Sequence, residues 1–204
     1  MTRSAARPRN REETEALLVD AAARVLARDG LTGFGVNAIA REAGADKVLV
    51  YRYFGDLEGL AAALGRRSDL WLGDAPIVPP GASYRDALWV LCTAYLRTLR
   101  HSDFLRQALI VELSSAGALS GALARARSDA AQRWFRQSVG ARSAPPGVDA
   151  PAINAVMIAA LHHLALAAGS QGAFAGMPLK SAKDWERVEQ AFHTLLAAAY
   201  PGKP

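Results

Sequence analysis

The sequence predicts an all-α protein: an N-terminal three-helix domain of helix-turn-helix type, then a C-terminal helical bundle, about nine helices in all. Three observations predict it. Apolar residues recur three and four positions apart along nearly the whole chain. Alternating Val, Ile and Thr runs, which would signal strands, are absent. Gly and Pro gather at a few places, where they punctuate the helical pattern.

The first helix is expected over Arg11 to Arg28, with Leu17, Leu18, Ala21, Ala22, Val25 and Leu26 as one apolar stripe. Gly30 is its expected left-handed cap. Two short helices follow, Val36 to Ala43 and Asp46 to Tyr53. A fourth is expected from an N-cap at Asp56 to about Trp71. Gly73-Asp74-Ala75-Pro76 and Pro79-Pro80-Gly81 then stop helical continuation. The domain boundary falls either inside the fourth helix or at this break; placed at the break, it gives a basic arm over 1–10, a head over 11–72 and a second domain over 73–204.

The next helix, Tyr84 to His101 with Ser83 as its cap, is apolar on most sides through Leu88, Trp89, Leu91, Cys92, Tyr95, Leu96 and Leu99. That pattern belongs at the centre of a bundle. Helices are also expected over Asp103 to Ser115, Leu119 to Val139, Ala152 to Ala168 and Ser181 to Tyr200. Ser143 to Gly147 and Gly169 to Pro178 read as loops.

Composition bounds the function. The 204 residues are 51% hydrophobic and 21% charged, enough to bury a sizeable core. The net charge of +5 is compatible with a nucleic-acid partner without demanding one. Cys92 is the single cysteine, so no internal disulfide forms, and no Cys/His spacing suggests zinc. The N-terminal MTRSAARPRNREE lacks the apolar run of a signal peptide. The uncharged stretch from Ala150 to Leu179 contains Asn154, His162 and His163. Its apolar part, Ile153 to Ala168, is short for a bilayer span of about 20 residues. It reads as a buried helix in a cytoplasmic protein with no membrane association.

The most informative segment is Gly33 to Asp56. A helix-turn-helix needs a small residue at the crossing, a turn residue tolerant of positive φ, inner apolar anchors and a free outer face. Ala40 meets the first need and Gly44 the second. Ile39, Ala43, Ala45 and Val50 supply the anchors, and Lys47, Val48, Leu49, Tyr51 and Arg52 include the outer face.

Gly30-Leu31, Ile39-Ala40-Arg41-Glu42-Ala43-Gly44, Tyr51-Arg52-Tyr53-Phe54 and Leu60 together resemble the DNA-binding domain of TetR-family regulators. The resemblance covers about Glu13 to Leu64. It implies a homodimer, a C-terminal ligand-binding domain, a double-stranded DNA operator and repression relieved by a small molecule. It also implies base contacts from Lys47, Val48 and Leu49, with Arg52 as a further candidate, and phosphate contacts from Tyr51 and Tyr53. Lys47 would donate to guanine O6/N7, while Val48 and Leu49 would touch thymine methyls. Asn37, near the start of the preceding helix, is placed to meet a phosphate. Phe54 is assigned to the core. Two positions depart from the family pattern: Gly35 stands where a Ser or Thr cap is usual, and Leu57 where a phosphate-reaching Lys is common.

Arg3, Arg7, Arg9 and Arg11, with no acid among them, read either as a DNA-contacting arm or as a solvated tail. In the second domain the last two long helices are the expected dimer interface. One carries Ile153, Val156, Met157, Ala160, Leu161 and Leu164, the other Trp185, Val188, Phe192, Leu195, Leu196 and Ala199. A pocket for a mostly apolar effector is expected from Trp89, Cys92, Tyr95, Leu96, Phe104, Leu109, Glu112, Trp134 and His162. Trp71 lies near the junction of the two domains. His162 and His163, being adjacent, point apart on a helix and do not suggest a metal. No di-iron spacing, Gly-rich phosphate loop or nucleophile elbow recommends catalysis, and no cofactor is expected. The alternative reading is a helical ligand-binding or adaptor protein with weakened DNA binding.

Overall fold

The structure is a computed structural model that describes residues 11–73, 76–114 and 116–201. Arg3, Arg7 and Arg9 of the basic arm, Asp74 and Ala75 of the interdomain break, and Ser115 lie outside them. Among the described residues there are ten helices and one short hairpin. The N-terminal head contains α1 (Arg11–Gly33), α2 (Val36–Ala43), α3 (Lys47–Phe54) and α4 (Leu57–Leu64). A five-residue helix, α5 (Ser68–Leu72), leads to α6 (Tyr84–His101), α7 (Asp103–Ser114), α8 (Ala118–Val139), α9 (Ala150–Ser170) and α10 (Ala182–Ala199).

Three sequence expectations change. The first helix does not stop at Gly30: helical geometry resumes to Gly33 after a break at that residue, where φ is +62° and ψ −159°. The helix expected from Asp56 to Trp71 is two helices, which raises the count from nine to ten. The chain turns at Gly65–Arg67, and Arg67 anchors the turn by ion pairs to Asp20 at 2.5 Å and Asp69 at 2.8 Å. The segment from Gly169 to Pro178 is not simply a loop. Ala173–Phe174 pairs antiparallel with Met177–Pro178, and helix α9 runs on to Ser170.

Side-chain caps fix the helix starts. Asp46 accepts from the Val48 N–H, and Asp56 from the Gly59 N–H. Ser83 with Asp86, and Ser181 with Asp184, form reciprocal capping boxes on α6 and α10. These bonds hold the Asp86 and Asp184 carboxyls below the usual range, with serine contacts the leading cause.

One hydrophobic core runs through the molecule. Helix α6 is its centre, touching α5, α7, α8, α9 and α10. The head docks on the bundle along two seams, α1 against α7 and α4 against α8. Trp71 lies at that junction, fully buried. Its Nε1–H donates to the Leu64 carbonyl at 2.9 Å, and its ring meets Phe104 edge to face at 4.9 Å.

By length and composition α9 is the one helix among the described residues able to cross a bilayer. Here its Met157, Leu161 and Ala165 are buried in the bundle, while Val156 is 71% exposed. The α10 stripe expected at a dimer interface is largely intramolecular: Trp185, Val188, Phe192 and Leu196 are buried in the chain's own core. The reason is α6, which needs cover on this side: Trp89 meets His193, and the Arg100 guanidinium lies 4.6 Å from the Trp185 ring.

Candidate functional site

The helix-turn-helix is built by its turn. Gly44 adopts φ +60°, ψ +34°, and its N–H closes on the Ala40 and Arg41 carbonyls. The Ala45 N–H then bonds the Ala40 carbonyl at 3.0 Å, reversing the chain within two residues. Ile39, Ala40, Ala43 and Val50 are buried on the inner side, and Ala45 is half-buried.

Burying Val50 turns the opposite face of α3 outward. Lys47, Val48, Tyr51 and Arg52 are all exposed, Val48 by 59% and Tyr51 by 54%. Asn37 is exposed in the first turn of α2. Leu49 and Tyr53 sit differently from the sequence expectation: both are half-buried and pack against the core. Tyr53 meets Phe54 edge to face at 6.4 Å, and the Arg11 guanidinium lies 5.5 Å from its ring. Leu57 also packs on the core, as an apolar replacement for a cation would. Gly35 is extended at φ −153° and offers α2 no side-chain cap.

Charge on this head is sorted. Arg24 and Arg28 of α1 hold Glu42 of α2 at 2.8 and 2.9 Å, and these hydrogen bonds depress its carboxyl pKa. Those cations brace the motif. Lys47 and Arg52 have no ion-pair partner among the described residues, so their charge faces solvent.

A cavity of about 320 Å³ opens between α6, α8 and α9. Cys92, Tyr95 and Trp134, expected from the sequence, line it. Trp89, Leu96, Phe104, Leu109, Glu112 and His162 do not. Leu96, Phe104 and Leu109 are spent on the core, and Trp89 on His193. Glu112 and His162 stand just behind the wall. Glu112 grips Arg127 with both oxygens, at 2.8 and 2.6 Å. His162 Nε2 is 2.7 Å from the Tyr95 hydroxyl. Burial lowers the His162 pKa to about 4, with the Arg127 charge adding to it, so the ring is neutral near pH 7. Its neighbour His163 instead meets Phe174 at 4.4 Å, so the two rings part as helical geometry requires.

The contribution of α8 was missed apart from Trp134. Arg127 and Ala131 precede it by seven and three positions, so helical spacing from Trp134 marks the same face. Asn154 and Met157 of α9 also reach the wall. Burial pushes the Cys92 thiol up to about 12, which keeps it protonated. Trp134 is buried and its indole N–H has no acceptor among the described residues, a state that costs on the order of 1–3 kcal/mol.

Helix α8 joins cavity to head. Its cavity face carries Arg127 and Trp134, while Ala126 and Arg133 abut the end of α4.

Residues 18–64 match the family model for bacterial regulatory proteins of the tetR family. No curated protein matches the chain in sequence. Its fold is shared by solved structures of low identity. A TetR-family transcription regulator from Marinobacter aquaeolei VT8 is 23% identical, with 95% of this chain and 99% of that one covered at a TM-score of 0.61. MexZ from Pseudomonas aeruginosa, described as a key repressor responsible for antibiotic resistance, is 17% identical, with 94% and 96% covered at a TM-score of 0.63. The fatty acid degradation regulator FadR from Bacillus halodurans is 16% identical, with 93% and 97% covered at a TM-score of 0.61. With its helix-turn-helix inside the matched segment, the N-terminal head is similar to the tetR family model, and the chain as a whole shares the fold of these solved structures.

Proposed function

We propose that the protein is a cytoplasmic homodimeric repressor that leaves its operator when a small, mostly apolar ligand enters the α6/α8/α9 cavity. The observation that carries DNA binding is the outward face of α3: Lys47, Val48, Tyr51 and Arg52 are exposed beside a fully buried Val50. A helix so presented fits the major groove. Lys47 would donate to guanine, Val48 and the free edge of Leu49 would meet thymine methyls, and Arg52 would add a further contact. Tyr51 and Asn37 would position the head on phosphates, and Tyr53 would do so through its hydroxyl alone. The head is 11–72 and the regulatory domain 73–204.

The dimer uses what α9 and α10 leave uncovered. Val156, Ala159 and Ala160 on α9 and Ala191 and Leu195 on α10 are exposed. Small side chains let partner helices approach closely, forming a four-helix bundle across a two-fold axis. Such an axis sets two heads about one DNA turn apart. Ligand entry would displace α8, and with it the end of α4.

Fluorescence anisotropy with duplex DNA from upstream of the gene tests this. Site-specific binding that weakens steeply with salt is expected, and Lys47→Ala should lose about 1–3 kcal/mol. Deleting residues 1–10 should flatten the salt dependence if the arm contacts DNA. The uncapped Gly35 and apolar Leu57 favour a second reading, an adaptor with weakened DNA binding; weak, sequence-blind association would select it.

A further inference from the structure

The charged groups lining the cavity are of one sign. Arg127 and Arg136 line it, and no carboxylate among the described residues does. Glu112, outside the lining, holds Arg127 from behind and fixes its guanidinium on α8. Arg136 is exposed and has no ion-pair partner among the described residues. Between them in sequence stands Trp134, buried, with its indole N–H lacking any acceptor among the described residues. Native interiors seldom leave such a donor unmade. An indole N–H only donates, so an occupant must bring an acceptor to satisfy it. The rest of the wall is mostly apolar, through Leu88, Leu91, Met157 and Ile158, with Tyr95, Ser128, Gln132 and Asn154 as neutral polar groups.

We propose that the effector is an apolar acid, whose hydrocarbon or aromatic body fills the cavity and whose carboxylate meets Trp134 Nε1 and the arginines of α8. This rests on the cavity being the effector site. A neutral acceptor would satisfy the indole but gain less from two cations in a wall without acids. An amine would face those cations and bring no acceptor for the indole. The single carboxylate is matched to Arg136, because Glu112 already balances Arg127.

The test is calorimetric titration of the full chain with matched head groups: octanoate, octanol and octylamine, then 4-phenylbutyrate, its alcohol and its amine. At least one acid should bind about tenfold or more tighter than its alcohol, with the amine weakest. Trp134→Phe should weaken the acid about three- to tenfold and leave the alcohol nearly unchanged. Its unliganded melting temperature should not fall, because the orphan donor is gone. Arg136→Gln, at an exposed position, should weaken the acid alone, and it serves if Trp134→Phe misfolds. Leu88→Trp, which fills the cavity, should abolish binding of every ligand. Alcohols equal to acids, both blocked by Leu88→Trp, overturn the acid and preserve the cavity as effector site. Acid binding untouched by Leu88→Trp overturns the site itself. Failure of both acids to bind overturns the proposal.

Discussion

Arg133 of α8 donates a 2.6 Å hydrogen bond to the backbone carbonyl of Gly65, where α4 ends. The same glycine lies against Ala126, one helical stretch earlier on α8: a Cβ at Gly65 would sit 2.6 Å from the Ala126 Cβ. The absence of a side chain is what lets the two helices meet. Head and cavity are thereby joined through a close helix contact and a hydrogen bond on the same helix, α8.

That contact predicts a steric cost with a specific remedy. Gly65→Ala should destabilise the protein by about 1–3 kcal/mol in chemical denaturation, as overpacking does. Ala126→Gly in the same chain should recover part of the loss, and a double-mutant cycle measures the coupling. Strict additivity of the two changes would mean that the seam does not depend on this contact.

The turn of the motif predicts a backbone effect. No neighbour would touch a Cβ at Gly44, so Gly44→Ala tests its positive φ alone. About 1 kcal/mol of stability should be lost, and Gly44→Asn should lose less because Asn tolerates this region. Thermal melts of the two variants give the comparison; equal melting temperatures would remove the conformational argument.

Buried His162 predicts a pH effect. Its folded pKa is lowered to about 4 from an ordinary 6.5, so between those values the unfolded chain binds more protons. Stability is therefore full above about pH 6.5 and declines as pH falls towards 4, by up to roughly 3 kcal/mol. His162→Gln, which still offers the Tyr95 hydroxyl a partner, should flatten that limb in urea melts at stepped pH. An unchanged slope would assign the decline to other groups.

The uncovered faces of α9 and α10 predict the oligomeric state. Val156→Glu and Leu195→Glu alter side chains that are 71% and 58% exposed, so neither should unfold the chain. Each should shift the sedimentation velocity profile from dimer towards monomer and weaken operator binding with it. A dimer indifferent to both charges would place the interface elsewhere.

The sequence by itself determined whatever depends on local spacing. Helical periodicity, the caps at Asp56 and Ser83 and the Gly44 turn are written in residues a few positions apart, and all recur in the structure. So does the exposure of Lys47, Val48, Tyr51 and Arg52, because burying Val50 fixes the rotation of a helix only eight residues long. Tertiary packing decided what depends on which helices meet. Periodicity says that the α10 stripe is covered, not by what, and α6 takes most of what a second subunit was expected to cover. It names Phe104 and Leu109 as apolar but not as core rather than cavity wall. Arg127 enters the wall beside Trp134 only because α8 is rolled so that Ala126 faces Gly65 and leaves Arg127 turned inward. An apolar residue carries the same pattern whether it lines a core or a cavity; the distance between helices makes the difference.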